Sequence, residues 1–208
     1  MFDAALACGY LGALLGVCML VPQIVRSFRD RSLPGVSALS WALTGLSSGA
    51  WLLYGLRVHE MPQVPGNTLV VAGTAVIVLA VPSRIGERGR ATMLVTAAFG
   101  LIASAVVLPA AAVGLIAFGI GVSSTLPQTI RSLVGLPEGT TSAVSVPSWL
   151  LRAAAQVCWL VFAIGEGDAV VFASAAFILS SSLVLCAVEL RRRRERRAPW
   201  RECVSSAV

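Results

Sequence analysis

Two rows of polar side chains run through strongly apolar stretches of the chain, and the members of each row are four residues apart. Residues at this spacing share one face of a helix, and a polar group in an apolar helix faces protein or water rather than hydrocarbon. Hydroxyl, amide and guanidinium groups suit reversible solute binding. We therefore expect both rows to line one aqueous pathway. The rows are Ser40, Thr44 and Ser48, and Ser148, Arg152 and Gln156.

Arg152 is the single charged residue within a predicted span. It could face the pathway, where it would bind an anionic or polyhydroxyl solute or hold a gate shut. It could equally extend its side chain along the helix to the nearest membrane surface. The sequence leaves both interpretations open.

Catalytic groups are scarce. The chain has one histidine, His59, and its five cysteines do not follow the spacing of a metal site. No carboxylate lies deep in a predicted span, so no set of nucleophile and base is recognisable. We expect neither an enzyme nor a bound metal or cofactor.

Composition indicates a membrane protein. Hydrophobic residues make up 57% of the 208 residues and charged residues only 12%, and the mean hydropathy is +0.84. A spanning helix needs about 20 apolar residues. Apolar stretches predict seven such helices, at 4–25, 36–56, 64–82, 92–109, 111–130, 144–164 and 168–189.

The chain repeats itself. A glycine-rich helix that ends in Pro22-Gln23 returns as one that ends in Pro127-Gln128, and the landmarks that follow return in the same order. Such self-similarity indicates a duplicated structural unit. The further landmarks are Ser40-Trp41 with Ser148-Trp149, and Trp51-Leu-Leu-Tyr54 with Trp159-Leu-Val-Phe162.

These paired Pro-Gln motifs resemble the PQ-loop repeat, and the whole arrangement is similar to the SWEET sugar transporters and their half-length relatives, the SemiSWEETs. The resemblance implies an all-α membrane protein in which two parallel triple-helix bundles are joined by an inversion helix. Parallel repeats of this kind are known among transporters. The implied units are 1–83, the linker helix 84–110, the second bundle 111–190 and a basic tail 191–208.

The resemblance also implies a sugar site, in which an indole stacks on the sugar ring and an asparagine binds hydroxyls. Trp51 and Asn67 fit these roles, although Trp51 alone could be an interfacial residue. In the second unit Ala175 stands where the first has Asn67, so we do not expect two symmetric asparagines. The predicted solute contacts are Trp51, Asn67, Trp159, Ser174, Ala175, Ser48, Gln156 and Arg152.

Two mechanical elements are predicted. The prolines should break or kink their helices, which would give a hinge at Pro22 and Gln23 and another at Pro127 and Gln128. By resemblance to SemiSWEET gates, Arg57 is expected to pair with Asp168 or Glu166 when the outside is closed. The predicted gate consists of Tyr54, Arg57, Phe162, Glu166 and Asp168.

Arginine positions predict the orientation, because basic residues near span ends stay in the cytoplasm. Every arginine except Arg57 and Arg152 falls in a cytoplasmic segment if the N-terminus is outside. The absence of lysine and the abundance of Ala, Gly and Val suggest a bacterial cell membrane.

The leading expectation is a facilitative sugar uniporter that works by alternating access and for which a monomer suffices. Its partners would be a small solute and the lipid bilayer, with no nucleic acid. Alternatives are a proton-coupled exporter of amino acids or other small solutes, and a receptor on the same fold that does not transport.

Overall fold

Seven α-helices form the part of the chain that the structure, a computed structural model, describes: residues 3–29, 38–80, 86–134 and 146–205. No strand occurs in these residues, so the predicted all-α class with seven helices is confirmed. Each helix covers its predicted stretch within a few residues, except that the last continues through the basic tail. The helices are α1 Ala4–Arg29, α2 Ala38–Val58, α3 Gln63–Ala80, α4 Glu87–Val107, α5 Ala110–Val134, α6 Val146–Glu166 and α7 Ala169–Ser205.

Local sequence explains several helix ends. The Asp3 carboxylate accepts hydrogen bonds from the backbone N–H groups of Ala5, at 3.0 Å, and Leu6, at 3.2 Å, at the start of α1. Aspartate is a favoured residue at this position because the first N–H groups of a helix lack partners. Between α4 and α5, Leu108 is extended, with φ −88° and ψ 152°. The residue before a proline disfavours the helical region, so Pro109 makes this connection short.

The helices pack as two equivalent groups. In the first unit, α1–α3, helix α3 contacts both α1 and α2; in the second unit, α5–α7, helix α7 contacts both α5 and α6. Across the two units, α1 packs against α6 and α2 packs against α5. Each contact therefore has a counterpart in the other unit, as expected for two copies related by a pseudo-twofold axis.

Helix α4 lies at the edge of the first unit, where it packs mainly against α2 and α3. Its other face carries large apolar side chains that are almost bare: Phe99 is 72% exposed, Val106 78% and Val107 80%. A continuous apolar surface of this kind is costly in water and suits a lipid environment. The linker helix therefore presents a lipid-facing surface.

Two helices in the described residues, Val146–Glu166 and Ala169–Arg192, are long and apolar enough to cross a membrane by length and composition. Four others contain shorter apolar stretches, at Ala4–Met19, Gln63–Leu79, Thr92–Val107 and Ala110–Leu126.

Neither motif proline ends its helix. Helix α1 continues past Pro22 to Arg29, and α5 continues past Pro127 to Val134. The prediction of a helix break at these positions is therefore wrong, because each helix continues past its proline although the proline lacks a backbone N–H. The side chains of Pro22, Gln23, Pro127 and Gln128 lie outside the described residues, so the predicted kink and hinge remain predictions.

Candidate solute-binding site

Matched aromatic pairs stand on the middle helix of each unit. Trp51 and Tyr54 on α2 meet edge to face with ring centroids 5.7 Å apart, and Trp159 and Phe162 on α6 do so at 5.6 Å. This is a favourable geometry for two aromatic rings. Because the members of each pair are three residues apart, they share a helix face. The duplication visible in the sequence is therefore reproduced in side-chain packing.

Glycines of the first helix in each unit make room for these rings in the opposite unit. A Cβ atom on Gly9 of α1 would lie 2.7 Å from the Phe162 ring, and one on Gly114 of α5 would lie 2.9 Å from the Tyr54 ring. A side chain at either position would collide with the aromatic group. The two units can approach closely because these positions have no side chain.

A cavity of about 220 Å³ lies between the units. All eight predicted solute contacts line it, so the structure brings them together from α2, α3, α6 and α7. Of the two polar rows, Thr44, Ser48, Arg152 and Gln156 reach the cavity, Ser148 does not line it, and the Ser40 side chain lies outside the described residues. The lining residues are Thr44, Ser47, Ser48, Trp51, Gln63, Asn67, Gly121, Ser124, Arg152, Gln156, Trp159, Val171, Ser174, Ala175 and Ile178.

Asn67 and Gln63 give the first unit an amide-rich wall. The side-chain amide of Asn67 donates to the backbone oxygen of Gln63, one turn earlier on α3, at 2.8 Å. This bond holds the asparagine against its helix and uses one of its two N–H groups. The same bond fixes the orientation of the second N–H group and of the side-chain oxygen of Asn67, which suits them to recognise hydroxyl groups.

Arg152 dominates the wall of the second unit. Its guanidinium donates to the Thr125 hydroxyl of α5 at 3.2 Å, and its central carbon lies 5.1 Å from the centre of the Trp149 ring. Stacking of a guanidinium on indole is a favourable cation–π contact. Arg152 is among the residues that line the cavity, which favours the pathway-facing interpretation over extension to the membrane surface.

The position that matches Asn67 is occupied by Ala175, which is 2% exposed beside the buried Ser174. Val171, one turn earlier on α7, matches Gln63 and is also buried. The second unit thus replaces two amides of α3 by small and apolar side chains on α7. The cavity is asymmetric, as the sequence predicted: α3 contributes the amides of Gln63 and Asn67, whereas α6 contributes the cation Arg152 and the amide of Gln156.

Several lining residues were not predicted from the sequence. Gln63 lies four residues before Asn67 and so shares its helix face, which was a usable signal. Ser47 donates to the backbone oxygen of Ala117 on α5 at 2.9 Å, a contact that no pattern in the chain reveals. The others are Gly121, Ser124, Val171 and Ile178.

One end of the bundle carries converging acidic groups. We call it the carboxylate end; it is formed by the α2–α3 and α6–α7 connections, which contain Glu60 and Asp168. The Tyr54 hydroxyl donates to the Asp168 carboxylate at 2.7 Å, which joins α2 of the first unit to the start of α7 in the second. The other Asp168 oxygen accepts from the backbone N–H groups of Val170 and Val171. Both oxygens of this carboxylate are therefore occupied.

Glu60 stands at the position of the first unit that matches Asp168, and it is only 8% exposed. It accepts a hydrogen bond from the side-chain amide of Gln63, a residue of the cavity wall. Burial raises the pKa of Glu60 to about 7, and a hydrogen bond to Asp168 and the negative charge of that neighbour act in the same direction. The carboxylate end thus contains an acid that titrates near neutral pH.

An apolar layer lies beside these acids. Phe162 and Val113 are fully buried, and Tyr54, Ala163 and Val171 pack with them. Trp51 and Trp159 border this layer and also line the cavity. The layer therefore borders the cavity on one side and includes Tyr54, which bonds Asp168 of the carboxylate end.

Arg57 requires a correction. Its guanidinium donates to the backbone oxygens of Ala105, at 2.5 Å, and Leu108, at the end of α4. The expected pairing with Asp168 or Glu166 is not formed in this structure. Carbonyl oxygens at a helix C-terminus lack N–H partners and attract cations, whereas Asp168 already has its partners. Arg57 fixes the linker helix to α2, while Glu166 is exposed.

Comparison with known proteins agrees with this architecture. Residues 4–64 match the family model of the PQ loop repeat. The fold matches the structure titled "The 3.7 A resolution structure of a eukaryotic SWEET transporter" with a TM-score of 0.76 and 13% sequence identity, over 90% of this chain and 96% of that one. No curated protein sequence matches the chain.

The chain therefore has a PQ-loop repeat in its first part and the seven-helix fold of a full-length SWEET transporter. The resemblance predicted from the paired Pro-Gln motifs is confirmed, and with it the fold of a membrane transporter. At 13% identity the structural match establishes the fold and leaves the solute to be argued from the cavity.

Proposed function

We propose that this protein is a facilitative membrane transporter that moves a small sugar by alternating access. The observation that carries the proposal is the cavity between the two units, lined by all eight residues expected to contact a solute. A site between two equivalent bundles can be exposed to either side of the membrane when the bundles rock against each other.

The chemistry of the cavity suits a sugar. Trp51 and Trp159 offer indole rings for the apolar face of a pyranose, and Asn67, Gln156 and Ser48 offer neutral groups for its hydroxyls. The volume of about 220 Å³ lies below the roughly 300–1,000 Å³ of sites that bind drug-sized molecules. The fit in this conformation therefore favours one sugar ring over two.

The carboxylate end is proposed as the external gate. The Tyr54–Asp168 hydrogen bond and the apolar layer around Phe162 would have to separate for a solute to enter from that side. Compared with the gate predicted from the sequence, the proposed gate includes Glu60 and excludes Arg57, which anchors α4. Glu166 keeps a peripheral role, as a negative charge near Glu60.

The motion is proposed to bend the first helix of each unit at Pro22 and Pro127, each followed by a glutamine. Proline removes one helical hydrogen bond and weakens the helix locally. Since α1 and α5 continue beyond these residues, the bend would occur within intact helices and would carry the opposite ends of the units apart. We place the N-terminus outside and the tail in the cytoplasm of a bacterial cell.

A second candidate, proton-coupled transport of an amino acid or another small solute, is favoured by one observation. Glu60 is buried, titrates near neutral pH and is hydrogen-bonded to Gln63 of the cavity wall. Proton-coupled carriers use acids in such positions, although this one lies at the end of the bundle rather than deep in a span.

Counterflow of labelled glucose and sucrose into proteoliposomes tests both candidates. We expect glucose flux that is insensitive to an imposed pH gradient and that falls about five- to a hundredfold in Asn67→Ala, because one buried hydrogen-bonding group is worth about 1–3 kcal/mol. Flux that follows the pH gradient and is lost in Glu60→Gln would establish the second candidate. Absence of any sugar flux would overturn the first.

A further inference from the structure

Arg152 places a positive charge in the cavity without a negative charge to balance it. In the described parts of the chain, no acidic residue lines the cavity and Arg152 forms no ion pair. Its guanidinium donates to the neutral Thr125 hydroxyl at 3.2 Å, and its central carbon lies 5.1 Å from the centre of the Trp149 ring. These contacts hold the guanidinium in position but leave its charge uncompensated.

A charge withdrawn from water is costly unless it is paired. Charged side chains within spanning helices accordingly mark the path of a substrate or pair with one another. A neutral side chain, such as that of Gln156 on the same helix face, would supply hydrogen bonds without the cost of withdrawing a charge from water. The presence of arginine instead indicates that the missing anion arrives with the solute.

The acids of the carboxylate end are not this counter-ion. Asp168 bonds Tyr54 and the first turn of α7, and Glu60 bonds Gln63. Neither acid belongs to the described cavity lining. The described lining residues therefore present one net positive charge to the occupant of the cavity.

We infer that the solute of this cavity is an acidic sugar, a single polyhydroxyl ring that bears one carboxylate, with the carboxylate bound by Arg152 and the ring between Trp51 and Trp159. This inference rests on the proposed sugar-transport function. Asn67 and Ser48 of the first unit would bind the hydroxyls, and Gln156 lies one turn from the guanidinium on the same wall. The asymmetry of the cavity, with the cation on the α6 wall and no cation on the α3 wall among the described lining residues, then corresponds to the two ends of such a solute.

The number of charges favours a carboxylate over a phosphate ester. A guanidinium matches the two oxygens of a carboxylate through two parallel N–H donors. A phosphate ester carries nearly two negative charges at neutral pH, and the cavity wall supplies only Arg152 to balance them. A sugar carboxylate is ionised at neutral pH and balances the site one to one.

Glucuronate and glucose provide a matched pair of probes, because they share the pyranose ring and differ at C6, a carboxylate in one and a hydroxymethyl group in the other. We would measure the uptake of both, separately and in competition, into proteoliposomes that contain the full-length protein. For the wild type we expect glucuronate to be taken up at least ten times faster than glucose at equal low concentration. An inside-positive potential set by potassium and valinomycin should accelerate glucuronate uptake, because the solute carries negative charge.

The variants separate recognition from folding. Arg152→Gln should reduce the ratio of glucuronate to glucose uptake at least tenfold, and Arg152→Lys should restore part of it because the charge is kept without the planar fork. Arg57→Gln, an arginine outside the cavity, should leave the ratio as in the wild type. Thermal unfolding and gel filtration of each variant in detergent would verify folding.

The outcomes distinguish this inference from the function on which it rests. Glucose uptake with no glucuronate uptake, or an Arg152→Gln variant that retains the wild-type ratio, would overturn the acidic-sugar inference alone. If glucuronate uptake ignored the potential, the carboxylate would not travel as an anion, and the inference would also fail. Uptake of neither sugar would overturn both the inference and the proposed sugar transport.

Discussion

At the scale of single residues, the two halves of the duplicated chain differ where they meet the solute. Asn67 and Gln63 of the first unit correspond to Ala175 and Val171 of the second, while Arg152 corresponds to Thr44. The four-residue spacing of the polar rows predicted which side chains share a face. The partners that hold them, such as Thr125 for Arg152, come from other helices and could not be derived from spacing.

Glu60 gives a testable pH response. Four groups interact here: Glu60 itself, its neighbours Asp168 and Glu166, and Tyr54. When the carboxylate end is closed the pKa of Glu60 is about 7, above the ordinary value of 4.5. An opened, hydrated end would return it toward the ordinary value. The closed state therefore binds a proton more strongly than the open state. The stabilisation of the closed state by the protonation of Glu60 is complete below pH 4.5 and is lost as the pH rises to about 7.

We predict that the population with an open carboxylate end increases several-fold between pH 5 and pH 8. Spin labels at Met61→Cys and Ala169→Cys, one on each unit, would report this as a longer distance in pulsed electron resonance. The five native cysteines would be replaced. The matched variant Glu60→Gln stays neutral and should remain closed at both pH values; an identical pH response in this variant would contradict the prediction.

At the scale of the helices, small residues decide how closely the elements approach. The sequence contains Gly12-x-x-x-Gly16 in α1, a spacing that permits close packing of membrane helices, and predicts a contact through both glycines. The structure uses them unequally. A Cβ atom on Gly12 would lie 3.1 Å from Nε1 of Trp159 and 3.3 Å from the backbone oxygen of Ala155, whereas one on Gly16 would meet nothing within 4 Å.

The two glycines therefore form a matched pair of mutants. At either position, replacing glycine by alanine should stabilise the helix by about 1 kcal/mol, because alanine has the higher helix propensity. Only Gly12→Ala also crowds the indole of Trp159, for which overpacking costs about 1–3 kcal/mol. We predict that Gly12→Ala is less stable than Gly16→Ala by about 1–2 kcal/mol and binds solute more weakly.

Thermal unfolding in one detergent would compare the two variants, and tryptophan fluorescence would follow the surroundings of Trp159. Since the substitution is glycine to alanine in both variants, the difference between their stabilities isolates the contact of Gly12 with α6. Equal melting temperatures would show that Trp159 relaxes freely and that Gly12 has no packing role.

The arrangement of helices within each unit was not predicted from the sequence. In both units the third helix packs between the first and the second, so that α3 contacts α1 and α2 while α7 contacts α5 and α6. Apolar spans in a membrane expose similar surfaces on every side, so hydropathy identifies the helices but not their neighbours. Packing of specific pairs, such as Gly9 with Phe162 and Gly114 with Tyr54, selects this order.

At the scale of the whole molecule, the odd number of helices gives the two units the same direction in the membrane. The linker helix α4 accounts for this, because three helices alone would invert the second copy. Arg57 attaches α4 to α2 through the backbone oxygens of Ala105 and Leu108. The carboxylate end then collects the α2–α3 and α6–α7 connections at one end of the bundle.

The arginine distribution predicts which side that is. In intact cells, a thiol reagent that does not cross membranes should label His59→Cys, an exposed position at the carboxylate end. The native Cys203 of the basic tail should react only after permeabilisation. The other native cysteines would be replaced by serine as background. Labelling of Cys203 in intact cells, with protection of residue 59, would reverse the proposed orientation.

The sequence by itself determined that the helices suit a lipid environment, how many helices there are, that the chain is duplicated and which residues could meet a solute. These follow from hydropathy and from periodicity along one chain, which depend only on local order. The tertiary structure decided that Arg152 joins the lining of the cavity, that Arg57 binds the end of α4 and that Glu60 approaches Asp168. These contacts join residues distant in sequence, and their geometry depends on how seven similar apolar surfaces pack, which no local pattern encodes.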